Sequence, residues 1–271
     1  MDLRNCDGVD FLHSLEDNSV SLVLTDPPYI ISRDSGMNKL HDAIDSGQDL
    51  SKTEEDWKIF CRENENLNLA RNAKDNFLKY GTIYGTKYAV KTKYGKWDED
   101  FTLEDLERFV ELYYKKLKPG GTCIIWFDWV KISFLCNMME KHNFKQLRLV
   151  EWVKSNPQPL NSKTNYLSNG REFAVLGIKK SKPTFHSSYD QGIYTFPIES
   201  GKHRFHPTQK SRRLFEELIK KHSNEGDLVI DTFLGGGTTA VAAKNTGRKF
   251  AGSEIDPSFF KLLSNVVNDG E

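Results

Sequence analysis

Asp26, Pro27, Pro28 and Tyr29 follow directly on the apolar run VSLVLT, at a point where an ordinary strand would simply turn. Two successive prolines lock φ twice and remove two backbone donors, so the carbonyls beside them are not consumed by a continuing helix or a central sheet ladder. The resulting corner is stiff and presents an acid together with backbone oxygens. A second chemically suggestive stretch lies near the other end of the chain. After DLVID come Phe233, Leu234, Gly235-Gly236-Gly237 and Thr238-Thr239, then the small residues AVAAK. Glycines there let the backbone turn sharply and approach a ligand, while the N-terminus of the following helix offers N–H groups to an anion. Glu254 stands roughly twenty residues past the first glycine, a spacing that suits ribose hydroxyls. Together these features describe an adenosine-type cofactor site. The glycines are not spaced G-x-G-x-x-G, and three in a row also serve as a plain turn. The Lys-Ser/Thr pair of a phosphate loop is absent, which disfavours a P-loop and with it a triphosphate.

These residues must be positioned by a regular framework. β-rich apolar runs occur at 20–26, 122–127, 147–153, 172–178, 227–233 and 249–254, with the short MDLRN at the start. Helical patterns lie between them. The clearest, 102–117, opens with a capping box from Thr102 to Asp105 and stops at Pro119-Gly120-Gly121. Others run from Thr208 to about His222, after the glycines at 235–237, and over about 257–267. Strands alternating with helices predict an α/β fold with a parallel sheet covered on both faces. The chain reads as a single domain, 1–271, with two segments that break the rhythm. Residues 33–100 look inserted, and their part 79–97 interleaves tyrosines with lysines and carries no acid. Aromatic faces stack bases and ammonium groups follow phosphates, so this stretch, with Lys87, Lys91 and Lys93, is a candidate nucleic-acid face or lid. Residues 181–205 are irregular and, with their surroundings, basic.

The 38 Lys and Arg residues balance the 38 Asp and Glu residues, so a polyanionic partner must be met by local patches. Cys6, Cys61, Cys123 and Cys136 show no metal spacing and fit a reducing compartment. No secretory segment and no stretch able to cross a bilayer is evident, so the chain reads as cytoplasmic, with no membrane partner.

TDPPY at 25–29, PGG before a strand at 119–121, WVKSNPQP at 152–159, HPTQKS at 206–211 and DTFLGGGTT at 231–239 together resemble the beta-class DNA amino-methyltransferases, which modify N6 of adenine or N4 of cytosine. The resemblance leaves out 33–100 and 181–205. It implies a Rossmann-like methyltransferase fold with a mostly parallel seven-stranded sheet, circularly permuted because the cofactor half comes last. S-adenosylmethionine is the implied cofactor and DNA the implied partner, with no metal. Asp7, Asp231, Phe233, Gly235, Gly237, Thr238, Thr239 and Glu254 are then expected around the cofactor, Asp7 accepting from its adenine amine. Thr208, Gln209 and Lys210, opening a helix, are expected at the methionine carboxylate. Asn156 and Arg204 join the lysines as expected DNA contacts, and 181–205 becomes a candidate target-recognition segment. A homodimer and a cognate restriction endonuclease are further candidate partners.

The chemistry of the corner follows. An exocyclic amine is a poor nucleophile because its lone pair is delocalised into the ring. Hydrogen bonds from its N–H groups to Asp26 and to the rigid Pro27 carbonyl would pull the nitrogen toward pyramidal geometry. Tyr29 supplies a face for a base turned out of the duplex. In the resembling family aspartate at the first position favours adenine, so N6 of adenine is the expected target. Cytosine N4 is the alternative, and amide methylation of a protein glutamine is disfavoured by Asp26. A non-catalytic nucleic-acid-binding subunit of the same fold is the alternative from another class.

Overall fold

Along the strand Leu117–Phe127, Cys123, Ile125 and Phe127 enter one buried cluster while Ile124 and Trp126 enter another. A strand buried on both faces belongs inside a sheet that helices cover from both sides. The computed structural model describes residues 1–29, 43–44, 46–65, 67–88, 101–157, 170–199 and 209–268. It divides into two compact units, Met1–Ile30 with Phe101–Glu271, and Ile31–Asp100.

The larger unit carries the strands β1 (Asp2–Asn5), β2 (Val20–Thr25), β3 (Leu117–Phe127), β4 (Lys145–Lys154), β5 (Arg171–Ile178), β6 (Ile193–Phe196), β7 (Leu228–Asp231) and β8 (Lys249–Glu254). They form one sheet in the order β1-β8-β7-β2-β3-β5-β4-β6. Only β5 runs antiparallel to its neighbours. The helices in chain order are α1 (Gly8–Ser14), α2 (Glu54–Glu63), α3 (Ala73–Tyr80), α4 (Leu103–Lys116), α5 (Ile132–Lys141), α6 (Arg212–His222), α7 (Thr238–Asn245) and α8 (Pro257–Asn268). α1, α4 and α5 pack on one face of the sheet, and α6 and α7 on the other. The capping box of α4 forms as expected, with Thr102 and Asp105 bonding each other's backbone amides.

The α/β class, the mostly parallel sheet and the permutation agree with the expectation. β1 pairs in parallel with β8, Asp2 opposite Ala251 and Asn5 opposite Glu254, and α8 packs on both. β8, α8 and β1 therefore lie together in space as a β-α-β unit would, although β1 precedes the others in the chain. Eight strands stand where seven were expected. The addition is β6, four residues inside 181–205 that extend the sheet beside β4. Its IYTF is too short and too half-exposed to register as an apolar run.

The smaller unit holds α2, capped by Thr53 and Asp56, and α3, which ends at Gly81 with φ +67°. Trp57, Phe60 and Phe77 form its aromatic cluster, with centroids 4.9 to 5.6 Å apart. It spans nearly the residues that the sequence marks as inserted. Among the described residues, no helix is long and apolar enough to cross a membrane.

His222, the last residue of α6, is buried beside Phe185, and burial pushes its pKa down to about 4. The native ring stays neutral while the unfolded chain takes up a proton below its ordinary pKa, 6.5. Stability contributed by this group is thus present above pH 6.5 and is lost as pH falls toward 4, by about 3 kcal/mol in full. Chemical denaturation of wild type and His222→Gln across this range is expected to show the shallower pH slope in the variant. Equal slopes would refute the assignment.

Candidate active site

β2 lies between β7 and β3 and is parallel to both, with Val23 opposite Ile230 and Thr25 opposite Ile125. From β7 the chain moves outward to β8, and from β2 it moves outward the other way to β3. This is the switch point of the sheet, and the carboxyl ends of strands at such a point are where open α/β sheets bind ligands. The Asp26 corner follows β2 there, and the glycine turn follows β7. They share one rim.

Asp231 ties the two together. One of its oxygens accepts from the Thr25 hydroxyl at 2.6 Å and from the Phe233 amide at 3.0 Å; the other accepts from the Thr239 hydroxyl at 2.6 Å. Burial pushes its pKa up, against the pull of these three bonds. Asp231 was expected at the cofactor, but its carboxylate is taken up by the protein, so it acts on the pocket by holding both loops. Thr239 is spent in the same way.

The turn itself requires glycine. Gly235 and Gly237 sit at φ +47° and +73°, in the left-handed region that disfavours side chains. Gly237 is the N-cap of α7, and among the described residues no side chain caps that helix, so the amides of its first turn face outward from the loop with Thr238. Glu254 is buried and accepts from the Gly235 amide at 2.8 Å and the Asp256 amide at 2.9 Å; burial raises its pKa. It therefore shapes the turn, with its remaining acceptor capacity at the end of β8. Phe233 packs between Phe101 and Phe109, at centroid distances of 5.5 and 4.8 Å. Asp7 caps α1 through bonds from Val9 and Asp10 amides. Gly8 runs so close to the end of β7 that a Cβ there would lie 3.2 Å from Thr232 Cβ.

At the other side of the rim, Pro27 and Pro28 are buried and Tyr29 is half-buried, its ring edge-on to Phe127 at 6.1 Å. Asp26 Oδ2 meets the Lys210 ammonium at 2.6 Å, whereas Oδ1 is buried with no hydrogen-bond partner among the described residues. Lys210 is only 4% exposed; it also faces Glu172 at 2.8 Å and donates to the Tyr29 hydroxyl at 3.2 Å. Glu172 in turn holds Lys154 at 2.6 Å. Burial, aided by Glu172 and Asp231 and opposed by Lys210, pushes the Asp26 pKa up to about 6. Burial would also raise Glu172, but Lys210 and Lys154 outweigh it and keep that carboxyl below its ordinary value. Burial works against the charged Lys210, and the adjoining acids Asp26 and Glu172 more than compensate, so its pKa lies well above normal.

The expected helix start at Thr208 is corrected here. α6 begins at Arg212 with Ser211 as N-cap, so Gln209 and Lys210 precede it outside the helix. Lys210 does not stand on a helix N-terminus; an ammonium buried this deeply needs counter-charges, and Asp26 and Glu172 supply them. Thr208 lies outside the described residues, as do Lys91, Lys93 and Arg204. Lys87 lies in the turn Gly85–Tyr88 of the smaller unit. Asn156 uses its side-chain oxygen on the Ile198 amide at 2.7 Å, bracing the exit of β4 against the segment after β6. Sequence reading missed Glu172 and Lys154. The only available signal was an acid opening the apolar run EFAVLGI, and it did not reveal which lysine it would meet.

The family model described as DNA methylase matches residues 20–265. The Type II methyltransferase M2.DpnII of Streptococcus pneumoniae is 27% identical, over 97% of this chain and 87% of its own. M2.MboI of Moraxella bovis is 25% identical, over 95% and 83%. Among solved structures, the M1.HpyAVI–SAM complex aligns with a TM-score of 0.63 at 22% identity, over 98% of each chain. The PvuII cytosine-N4-specific DNA methyltransferase aligns at 0.64 and 17% identity, over 97% of this chain and 84% of its own.

Proposed function

The chain belongs to the DNA methylase family, and from that premise we propose that it transfers the methyl group of S-adenosylmethionine to N6 of an adenine turned out of DNA. The observation that carries this reading is the open Oδ1 of Asp26, buried on the rim that the Pro-Pro corner shares with the glycine turn.

The residues present fit the cofactor. The left-handed glycines let the backbone pass close to a ligand, the first turn of α7, uncapped among the described residues, offers amides to a carboxylate, Glu254 stands at the turn with an acceptor for hydroxyl hydrogens, and Asp7 at the start of α1 is proposed to take the amine. When bound, S-adenosylmethionine supplies an electrophilic methyl on a positively charged sulfur. Asp26 Oδ1 accepts one amine hydrogen of the base and the Pro27 carbonyl accepts the other, which localises the nitrogen lone pair. Above a pH of about 6, Asp26 is ionised and able to take the proton that the methylated amine sheds. Tyr29, steadied by Phe127 and Lys210, offers the base an aromatic wall.

The Type II names of the relatives support a cognate restriction endonuclease as functional partner in the cytoplasm. Lys87, Lys91 and Lys93 remain proposed phosphate contacts; their neutralisation should lower the salt dependence of DNA binding.

The test is the identity of the product. DNA incubated with the protein and labelled S-adenosylmethionine is digested to nucleosides, and the label is expected in N6-methyladenine. Label in N4-methylcytosine would replace the adenine assignment, and no label in either would overturn the reading.

A further inference from the structure

Two charged side chains, the buried Lys210 and the half-buried Glu172, gather at Asp26 and have so far no role toward its carboxylate. Lys210 lies 2.6 Å from Asp26 Oδ2 and 2.8 Å from Glu172, and Glu172 is braced from behind by Lys154 at 2.6 Å. The three elements involved are far apart in the chain: the corner after β2, the start of β5 and the approach to α6. Gathering two half-buried acids and a half-buried ammonium around the buried ammonium of Lys210 is costly and gives little net stability over an apolar filling. The arrangement also presents the two oxygens of Asp26 unequally, one occupied by the ammonium and one without a partner among the described residues.

We propose that Lys210 and Glu172 are positioning residues for methyl transfer: the ammonium pins Asp26 Oδ2 so that Oδ1 is turned to the target amine, and Glu172 sets how much of the ammonium's charge Asp26 feels. This rests on the amine-methylating reading above and adds to it the residues that prepare the acceptor.

Asp26 is faced by Lys210, by Glu172 from β5, by Asp231 from the end of β7 and by Tyr29 of its own corner. Of these, Lys210 favours the carboxylate, and Glu172 and Asp231 oppose it. Deleting the ammonium and deleting the second acid must therefore move the ionisation of Asp26 in opposite directions. A merely structural pair would not do so. Loss of either partner would then reduce activity without a signed shift.

The experiment measures single-turnover methyl transfer to DNA between pH 5 and 9 for wild type, Lys210→Met and Glu172→Gln. Binding of S-adenosylmethionine and a carbon-13 carboxyl NMR titration of Asp26, both without DNA, accompany it. The acid limb of the wild-type rate is expected near pH 6. It should move up by about one unit in Lys210→Met and down by about one unit in Glu172→Gln, with the NMR titration following the same order. Cofactor affinity should stay within about threefold of wild type in both. Shifts of the same sign, or none, overturn the proposal. A tenfold loss of cofactor affinity in Lys210→Met with an unmoved acid limb would return Lys210 to the cofactor carboxylate and likewise overturn it. Should Lys210→Met not fold, the isosteric Glu172→Gln decides alone: its limb must move down. A wild type that transfers no methyl at any pH defeats the parent reading, whereas transfer with an acid limb indifferent to both substitutions defeats only this one.

Discussion

Alanine at Asp26 is expected to lower methyl transfer to DNA by at least about 100-fold while leaving S-adenosylmethionine binding within a few-fold of wild type. The expectation comes from the division of labour on the rim. The glycine turn, Glu254 and the start of α7 form one side, and their hydrogen bonds do not involve Asp26. The Asp26 corner forms the other side, and Asp26 Oδ1, without a hydrogen-bond partner among the described residues, is the side-chain acceptor the target amine needs. Removing it leaves the Pro27 carbonyl as sole acceptor and the lone pair largely in the ring. Asp26→Asn, which keeps an oxygen acceptor but not the charge, should fall between the two. Single-turnover transfer and equilibrium cofactor binding separate these effects. Transfer by Asp26→Ala within tenfold of wild type would defeat the assignment of this residue.

The largest loss of stability is expected from Asp231→Ala. The substitution removes the acceptor for three buried or half-buried donors: the hydroxyls of Thr25 and Thr239 and the amide of Phe233. An unsatisfied buried donor costs about 1–3 kcal/mol. Both hydroxyls can rotate to other acceptors, and the cost of burying the acid itself is recovered, so the lower end applies: about 3 kcal/mol in total. For a unit of this size that is roughly a 10 °C fall in Tm. Asp231→Asn, which keeps one acceptor and adds a donor where only donors point, should recover little. Because Asp231 joins the two loops, the cofactor should also stabilise Asp231→Ala less than wild type against heat. A variant within 1 kcal/mol of wild type would show that the junction is not held by this carboxylate.

Much of this architecture was legible because its signals are local. Thr102, Asp105 and Pro119-Gly120 bound α4 by neighbouring chemistry, and the order of the motifs, with the corner first and the glycine turn last, already implied the permuted sheet. What escaped is set by contacts between distant residues. Nothing near Lys210 indicates that its ammonium turns away from a helix start into two acids, one close to the beginning of the chain and one on β5. Asp231 carried a motif expected at the cofactor, but its oxygens were claimed by threonines from β2 and α7. β6 escaped for a different reason: four half-exposed residues gain their strand geometry from β4, and their own pattern does not demand it.

The pairing of β2 with β7 joins Val23 to Ile230 across roughly two hundred residues of chain. During synthesis β3, on one flank of β2, is made well before β7, the strand that completes the other flank. Until then β2, buried on every side in the finished molecule, has an open flank. The nascent polypeptide therefore has to hold an apolar strand with one flank unpaired while the segment between β3 and β7 is made, and its yield in a cell should depend on holdase chaperones more than that of an unpermuted enzyme with the same sheet.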